Sequence, residues 1–345
     1  MTPKYKKART STMPSRRPNV RPTPKSRTHK PESRPKPRRR ATPRPEARHV
    51  RHDDAVTRNA KITSGNAGTP KNQWVQTTWL RHGDAKECLT RVPAKTAQTC
   101  VTSPAFWQLR DYGVPGQIGM EPTPEEYVNK LADVFDEVHR VLRDDGTLWL
   151  NLGDTYCGGG GFSPDSPTNR YRGRQSKASK KGRRPVPPGY QRKDLVGIPW
   201  MVAFELRRRG WILRCDVVWD KPDAWGNWAP DRPTRSHEYL FLFSKSKKYY
   251  YHAEAVKEAA VRGTKHRRSV WSIPKSRYRG NHTATFPEEL VRRCILASTK
   301  PNQIVLDPFM GSGTTGVVAR RLGRFFTGFD INPAYVNEAS CRIIT

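Results

Sequence analysis

A chain of 345 residues carrying a formal net charge of +33 can hold one large α/β domain with appendages, and it is too basic for an ordinary globular surface. No run approaches the roughly 20 apolar residues of a membrane-spanning helix, and no apolar core follows the basic N-terminal residues, so neither a span nor a secretory signal is expected. Cysteines 88, 100, 157, 215, 294 and 341 form no Cys-x-x-Cys pair and have no matching histidine spacing, which disfavours zinc and a disulfide framework; no metal is expected.

The charge is unevenly spread. Residues 1–50 carry 17 Lys/Arg against 2 Asp/Glu, residues 156–193 carry 10 against 1, and residues 245–279 carry 11 against 2, while the rest balances 26 against 26. Single-sign clusters on a balanced chain point to a polyanion. A membrane surface is disfavoured because the basic stretches lack an amphipathic apolar stripe.

In chain order, residues 1–70 place ten prolines in their first fifty positions among Arg, Lys, Ser and Thr, and a disordered basic tail is expected. The folded domain is expected over 71–345, its core beginning near Trp74. Cys100-Val101-Thr102-Ser103-Pro104-Ala105-Phe106-Trp107 reads as a β-rich run stopped by Ser-Pro, a strand end with a rigid lip. Thr123-Pro124-Glu125-Glu126 supplies a cap, a first-turn proline and a capping-box acid to a helix marked by Tyr127, Leu131, Val134, Val138 and Leu142. Asp144-Asp145-Gly146 then turns into a strand from Thr147 to Leu152.

Residues 156–193 form a long basic loop without apolar period, containing Arg170, Arg172, Arg174, Lys180 and Lys181. Strands are expected at Ile212 to Val218 and Tyr239 to Phe243, followed by an interval, 245–279, that interleaves Tyr249, Tyr250, Tyr251, Trp271 and Tyr278 with basic residues such as Arg267 and Arg268. Thr283-Ala284-Thr285-Phe286-Pro287 looks like a helix start.

The apolar run Ile304-Val305-Leu306 leads into Asp307-Pro-Phe-Met-Gly311-Ser-Gly313-Thr-Thr-Gly316 and the helical pattern Val317, Val318, Leu322. A strand, a glycine turn and a helix start make a nucleotide pocket, because glycines turn tightly and let backbone approach a ligand. The next strand, Phe325 to Phe329, ends in Asp330, placed to take two ribose hydroxyls. The spacing alone also fits a dinucleotide fingerprint, but nothing resembles a hydride-transfer site. About thirty residues follow the loop, too few to complete a sheet, so the remaining strands must come from upstream.

With the Ser-Pro lip placed before the glycine loop, the chain resembles the amino-group DNA methyltransferases whose motifs run in permuted order. Further blocks carry the resemblance across residues 74 to 341: His82-Gly83-Asp84, Leu109-Arg110-Asp111-Tyr112-Gly113, Asp145 through Asp154, Asp194 through Trp200, Arg232-Pro233-Thr234 and His237-Glu238-Tyr239. The resemblance implies a permuted, Rossmann-like α/β methyltransferase sheet with basic DNA-recognition inserts, S-adenosylmethionine as cofactor and double-stranded DNA as partner. Without a secretory signal, an intracellular, DNA-associated protein is expected, as a monomer or weak dimer.

By the same resemblance, Asp307, Phe309, Gly311, Gly313 and Thr314 belong to the methionine and ribose end of the cofactor, Asp330 to the ribose hydroxyls and Asp84 to the adenine side. Residues 283–287 would cover the methionine moiety. Ser103 and the Pro104 carbonyl would accept the protons of the target amine, and Phe106 would stack on a flipped base. DNA contacts are expected from Arg170, Arg172, Arg174, Lys180, Lys181, Arg267, Arg268 and Trp271, with target recognition in 245–282. No cysteine follows a proline, so the Pro-Cys nucleophile of enzymes that methylate a cytosine ring carbon is missing. Ser at the first lip position favours cytosine N4 over adenine N6. Ala105-Phe106 departs from the Pro-Tyr of the family pattern, and slower chemistry is expected from the loosened lip. Adenine-N6 methylation and a catalytically weak DNA-binding or packaging protein are the alternatives. His82, His237 and His282 are read as structural, because attack on a sulfonium needs no strong base.

Overall fold

The computed structural model describes residues 78–158, 186–224, 229–278, 280 and 285–344. The tail 1–70, Trp74, and Arg170, Arg172, Arg174, Lys180 and Lys181 in the basic loop lie outside the described residues, as do His282, Thr283 and Ala284.

In chain order the described elements are β1 (Trp79–His82), α1 (Ala85–Thr90), β2 (Ala97–Thr102), α2 (Pro124–Val141), β3 (Leu142–Leu152), α3 (Ile198–Arg208), β4 (Ile212–Asp220) and β5 (His237–Ser244). They continue with β6 (Glu258–Ala259), β7 (Thr264–Lys265), β8 (Val270–Ser272), α4 (Glu288–Ser298), β9 (Ile304–Asp307), α5 (Thr314–Arg321), β10 (Phe325–Asp330) and α6 (Pro333–Ile344). The main sheet runs β1-β10-β9-β2-β3-β5-β4-β8, and β6 pairs with β7 in a separate hairpin. Neighbours from β1 to β3 are parallel, and β5 is antiparallel to both β3 and β4. The C-terminal strands β9 and β10 thus sit between β1 and β2, as the position of the glycine loop late in the chain requires.

Alternating sheet residues face two cores. Cys100, Leu148, Leu150, Phe241 and Leu306 pack with Leu89, Leu131, Phe135, Val202 and Leu206 from α1, α2 and α3. Val101, Trp149, Leu240 and Val305 pack with Leu290, Ile295, Val317, Val318 and Ile343 from α4, α5 and α6. A sheet covered on both faces needs no polar face, which explains the apolar runs at β3, β5 and β9.

Thr123 caps α2: its hydroxyl oxygen accepts from the Glu126 N–H at 3.2 Å and its hydroxyl donates to Glu126 Oε1 at 3.1 Å. The turn expected at Asp144-Asp145-Gly146 takes another form. Pairing begins already at Leu142, and a bulge follows, with Ala97 opposite Leu142 but Thr99 opposite Thr147. A Cβ on Gly146 would lie 2.9 Å from the Arg143 carbonyl oxygen, so the bulge needs a glycine.

Candidate active site

The parallel strands β2, β9 and β10 end on one side of the sheet, where open α/β sheets bind their ligands. There a cleft is lined by Asp84, Ser103, Tyr112, Phe309, Asp330 and Tyr335, among others. Asp330 ends β10. Its Oδ2 accepts from the Gly311 N–H at 2.9 Å and its Oδ1 from the Asn332 N–H at 2.8 Å. Burial outweighs these bonds and the nearby His82, and pushes the carboxyl up to about 6. Asp84 caps α1 by accepting from the Glu87 N–H at 3.0 Å, and so faces the cleft at a helix start.

Of the cofactor residues expected from sequence, Asp84, Phe309 and Asp330 line the cleft, whereas Asp307, Gly311, Gly313 and Thr314 support it from behind. Asp307 is 0% exposed and ties β2 to α5. It accepts from Thr102 Oγ1 at 2.6 Å, Thr315 Oγ1 at 2.7 Å and the Phe309 N–H at 3.1 Å. Burial pushes its carboxyl up to about 7. Its side chain thus braces the loop from within. At Gly313, with φ +78°, a Cβ would meet Ala339 Cβ at 2.8 Å and Ile343 Cδ1 at 3.0 Å. Its direction is toward α6, so this glycine is needed for backbone turn and helix packing. Gly311, φ +49°, contributes its N–H to Asp330, and Thr314 is buried at the start of α5.

Several cleft residues escaped the sequence reading. Gly116, Gln117 and Ile118 come from the irregular segment after the lip, and Asn332 and Tyr335 from the start of α6. Tyr112 meets Tyr335 edge to face at 6.1 Å, and its N–H donates to Gln117 Oε1 at 2.7 Å. The α6 residues had a signal, since Tyr335, Ala339 and Ile343 recur at helical spacing and are buried. The 114–118 segment had none, because it belongs to no regular element.

Ser103 stands one residue past β2 and lines the cleft, as does Ala105. Pro104 is buried, and Phe106 is half-buried with its ring against Gly153, where a Cβ would lie 2.5 Å from Phe106 Cε2. The missing second proline does not leave the lip slack. Tyr127 is buried and donates to the Ala105 carbonyl at 2.9 Å, and burial raises its phenol so that it stays a donor. The Gln108 N–H donates to the Gly119 carbonyl at 2.7 Å and Trp107 Nε1 to that of Glu121 at 2.9 Å. The loosening expected at Ala105 is therefore offset by neighbours distant in sequence.

The interval after β5 departs most from expectation. Trp271 is 5% exposed on β8, 5.9 Å from Trp149, with Nε1 donating to the Arg268 carbonyl at 2.7 Å. Arg267 turns inward and donates to the Val256 carbonyl at 2.6 Å and that of Lys257 at 3.0 Å. The Trp271 ring is thus held in the core, and the Arg267 guanidinium is engaged by backbone carbonyls. Arg268 is different: its side chain is 74% exposed beside Glu258 at 2.7 Å. Among the histidines, His82 Nε2 donates to the Ile331 carbonyl at 3.1 Å, and His237 packs on Tyr239, its basicity lowered by burial and by Arg235 and Lys221.

A mixed sheet with a cleft at its parallel strand ends, a glycine loop and a buried acid on the adjoining strand define a nucleotide-cofactor-binding α/β protein. The chain matches the N6/N4 DNA methylase family over residues 97–340. It is 48% identical over 266 residues to the type II methyltransferase M.Cfr9I of Citrobacter freundii, covering 76% of this chain and 87% of that one. It is 46% identical over 265 residues to M.SmaI of Serratia marcescens, covering 76% and 89%. Among solved structures, it resembles the cytosine-N4-specific PvuII DNA methyltransferase with a TM-score of 0.58 at 22% identity, covering 77% of this chain and 86% of that one. A putative DNA modification methylase of Thermus thermophilus, solved with S-adenosyl-L-methionine, gives 0.55 at 24%, covering 77% and 93%. At such identities these two structures speak for the fold. The chain belongs to the N6/N4 DNA methylases, a family of S-adenosylmethionine-dependent DNA methyltransferases.

Proposed function

We propose that this protein is a site-specific methyltransferase that places a methyl group on the exocyclic N4 amine of cytosine in duplex DNA. The observation that carries the reading is that Ser103 and Asp330 line one cleft. A lip built for an amine and an acid built for ribose hydroxyls then face a common space. The cleft fits the cofactor by its chemistry: Asp330 keeps a free lone pair on each oxygen after its two backbone bonds, and Tyr112, Tyr335 and Phe309 offer ring surface to a purine. When bound, S-adenosylmethionine supplies an electrophilic methyl on a sulfonium.

The protein's own work concerns the base. An exocyclic amine is a poor nucleophile because its lone pair is delocalised into the ring, and the duplex hides it until the nucleotide is flipped out. Ser103 Oγ and the Pro104 carbonyl accept hydrogen bonds from the two amine N–H groups and so direct the lone pair toward the methyl. Phe106 stacks on the flipped ring, a contact worth about 1–3 kcal/mol. Its fixed seat on Gly153 holds the stacking face in place. The surplus proton leaves to water after transfer.

Serine at the first lip position favours cytosine, and the PvuII enzyme, named as cytosine-N4-specific, shares the fold. The tied-down Ala105 favours a working catalyst over a mere DNA-binding protein. Duplex contacts come, in this reading, from exposed Arg268 and from the basic stretches 1–50 and 156–193. The test is to incubate the protein with DNA and labelled S-adenosylmethionine, digest, and identify the nucleoside. N4-methylcytosine without a covalent enzyme–DNA complex is expected, and N6-methyladenine alone would overturn the base assignment.

A further inference from the structure

Behind Ser103 lies a chain of polar side chains that the chemistry above does not use. Ser103 Oγ donates to Asn151 Oδ1 at 2.9 Å. Asn151 is 2% exposed near the end of β3, and its Nδ2 donates to Glu238 Oε2 at 3.1 Å and to the Tyr239 carbonyl at 3.1 Å. Glu238 in turn pairs with the Lys221 ammonium, which sits 4.7 Å from the Trp219 ring centre. Lys221 and Glu238 are both mostly buried.

The direction of each bond follows from donor and acceptor inventories. A side-chain amide has an acceptor end and a donor end of nearly equal size, so only its partners decide which way it points. The Tyr239 carbonyl and the Glu238 carboxylate can only accept. They fix the Asn151 amide with Nδ2 toward β5 and Oδ1 toward Ser103. An amide oxygen cannot donate, so the Ser103 hydroxyl must spend its single proton on Asn151. What Ser103 then turns toward the cleft is lone pairs.

We infer that Glu238, braced by Lys221, is a positioning residue that acts through Asn151 to hold Ser103 as a pure hydrogen-bond acceptor for the target amine. The inference rests on the reading that Ser103 accepts an amine proton. A serine free to rotate would offer its hydroxyl proton to the base for part of the time and lose that role. Asn151 cannot take a proton at neutral pH, so the network orients and does not relay.

The test is a double-mutant cycle on the single-turnover methylation rate of the full chain with duplex DNA. Glu238→Gln is expected to slow methyl transfer about tenfold while cofactor affinity and the KM for DNA stay within about twofold. In a Ser103→Ala background the same substitution should change the rate by less than about twofold, because the orientation it disturbs no longer matters. Equal slowing in both backgrounds, or none in either, overturns the inference and leaves Ser103 in the mechanism. A Ser103→Ala enzyme as fast as wild type overturns the underlying reading as well.

Lys221→Met guards against a Glu238 variant that fails to fold and should slow the reaction in the same direction. Asn151→Asp supplies a readout that loss of packing would not move. Its second oxygen faces the Glu238 carboxylate and the Tyr239 carbonyl, so the geometry returns only when the pair shares a proton. Its rate should climb as pH falls, and a profile parallel to wild type would count against the inference.

Discussion

The cleft and the interval that follows β5 carry equally conspicuous sequence signals, and the structure treats them in opposite ways. At the cleft, Ser103 and Asp330 stand at strand ends, where the chain leaves the sheet and side chains turn toward open space. In the interval, Arg267 and Trp271 carry the right chemistry for DNA and point inward. Charge and aromatic content describe what a segment could touch, whereas the end of a parallel strand fixes where it points. Position relative to the sheet is therefore the better guide.

The largest expected effect tests the inward half of this contrast. Trp271→Ala removes a ring packed on Trp149 and should cost about 3–5 kcal/mol of stability, seen by thermal or denaturant unfolding. The methylated DNA motif should not change; a stable variant with altered sites would return Trp271 to the DNA.

Asp330→Ala tests the cleft and should weaken S-adenosylmethionine binding by about 1–3 kcal/mol in a calorimetric titration, through loss of charge-assisted bonds. Wild-type affinity would move the cofactor elsewhere.

The next prediction sets Asp307 against Asp330 at the ends of adjacent strands. Burial holds the Asp307 carboxyl up at about 7 in the folded protein, above its ordinary 3.8. Between those values the folded state binds the extra proton, so stability is gained as pH falls through 7 and lost as pH rises through it. Asp307→Asn should flatten this dependence and be tolerated. The amide oxygen keeps the bonds from Thr102 and Phe309, while its NH2 donates to Thr315 Oγ1, whose hydroxyl already reaches the Val101 carbonyl at 3.3 Å. Melting temperatures from pH 5.5 to 8.5 decide it. An unchanged slope would show that the proton resides elsewhere, Asp330 at about 6 being the next candidate.

The smallest effect sharpens the outward half. Arg268→Ala should leave stability nearly untouched and reduce the slope of log affinity against log salt by about one, as for one phosphate contact. A slope equal to wild type would mean that Arg268 serves only Glu258.

Much of the fold and part of the site were legible because their determinants are local. The capping box of α2, the Ser-Pro stop after β2 and the glycine turn after β9 each act within a few residues. Asp307 opens the glycine motif. Its side-chain partners, Thr102 and Thr315, come from a strand about two hundred residues away and from the next helix, and no local pattern reveals them. The Tyr127 bond to Ala105 is hidden in the same way: Tyr127 reads only as one member of an apolar helical stripe. In β8 a three-residue strand is too short for alternation to show, so the inward turn of Trp271 could not be read.

The placement of β9 and β10 between β1 and β2 has a consequence in time. During synthesis β1 and β2 emerge first of these strands, yet neither gains its partner in this part of the sheet until about two hundred further residues have been made. Pairs such as Cys100 with Leu306 close a loop of about two hundred residues, and contacts so distant form late because the chain must lose loop entropy before they reward it. Ser103 and Asp330 therefore come to face one cleft only at the end of folding. A partly made chain thus has the lip but no finished cofactor cleft beside it.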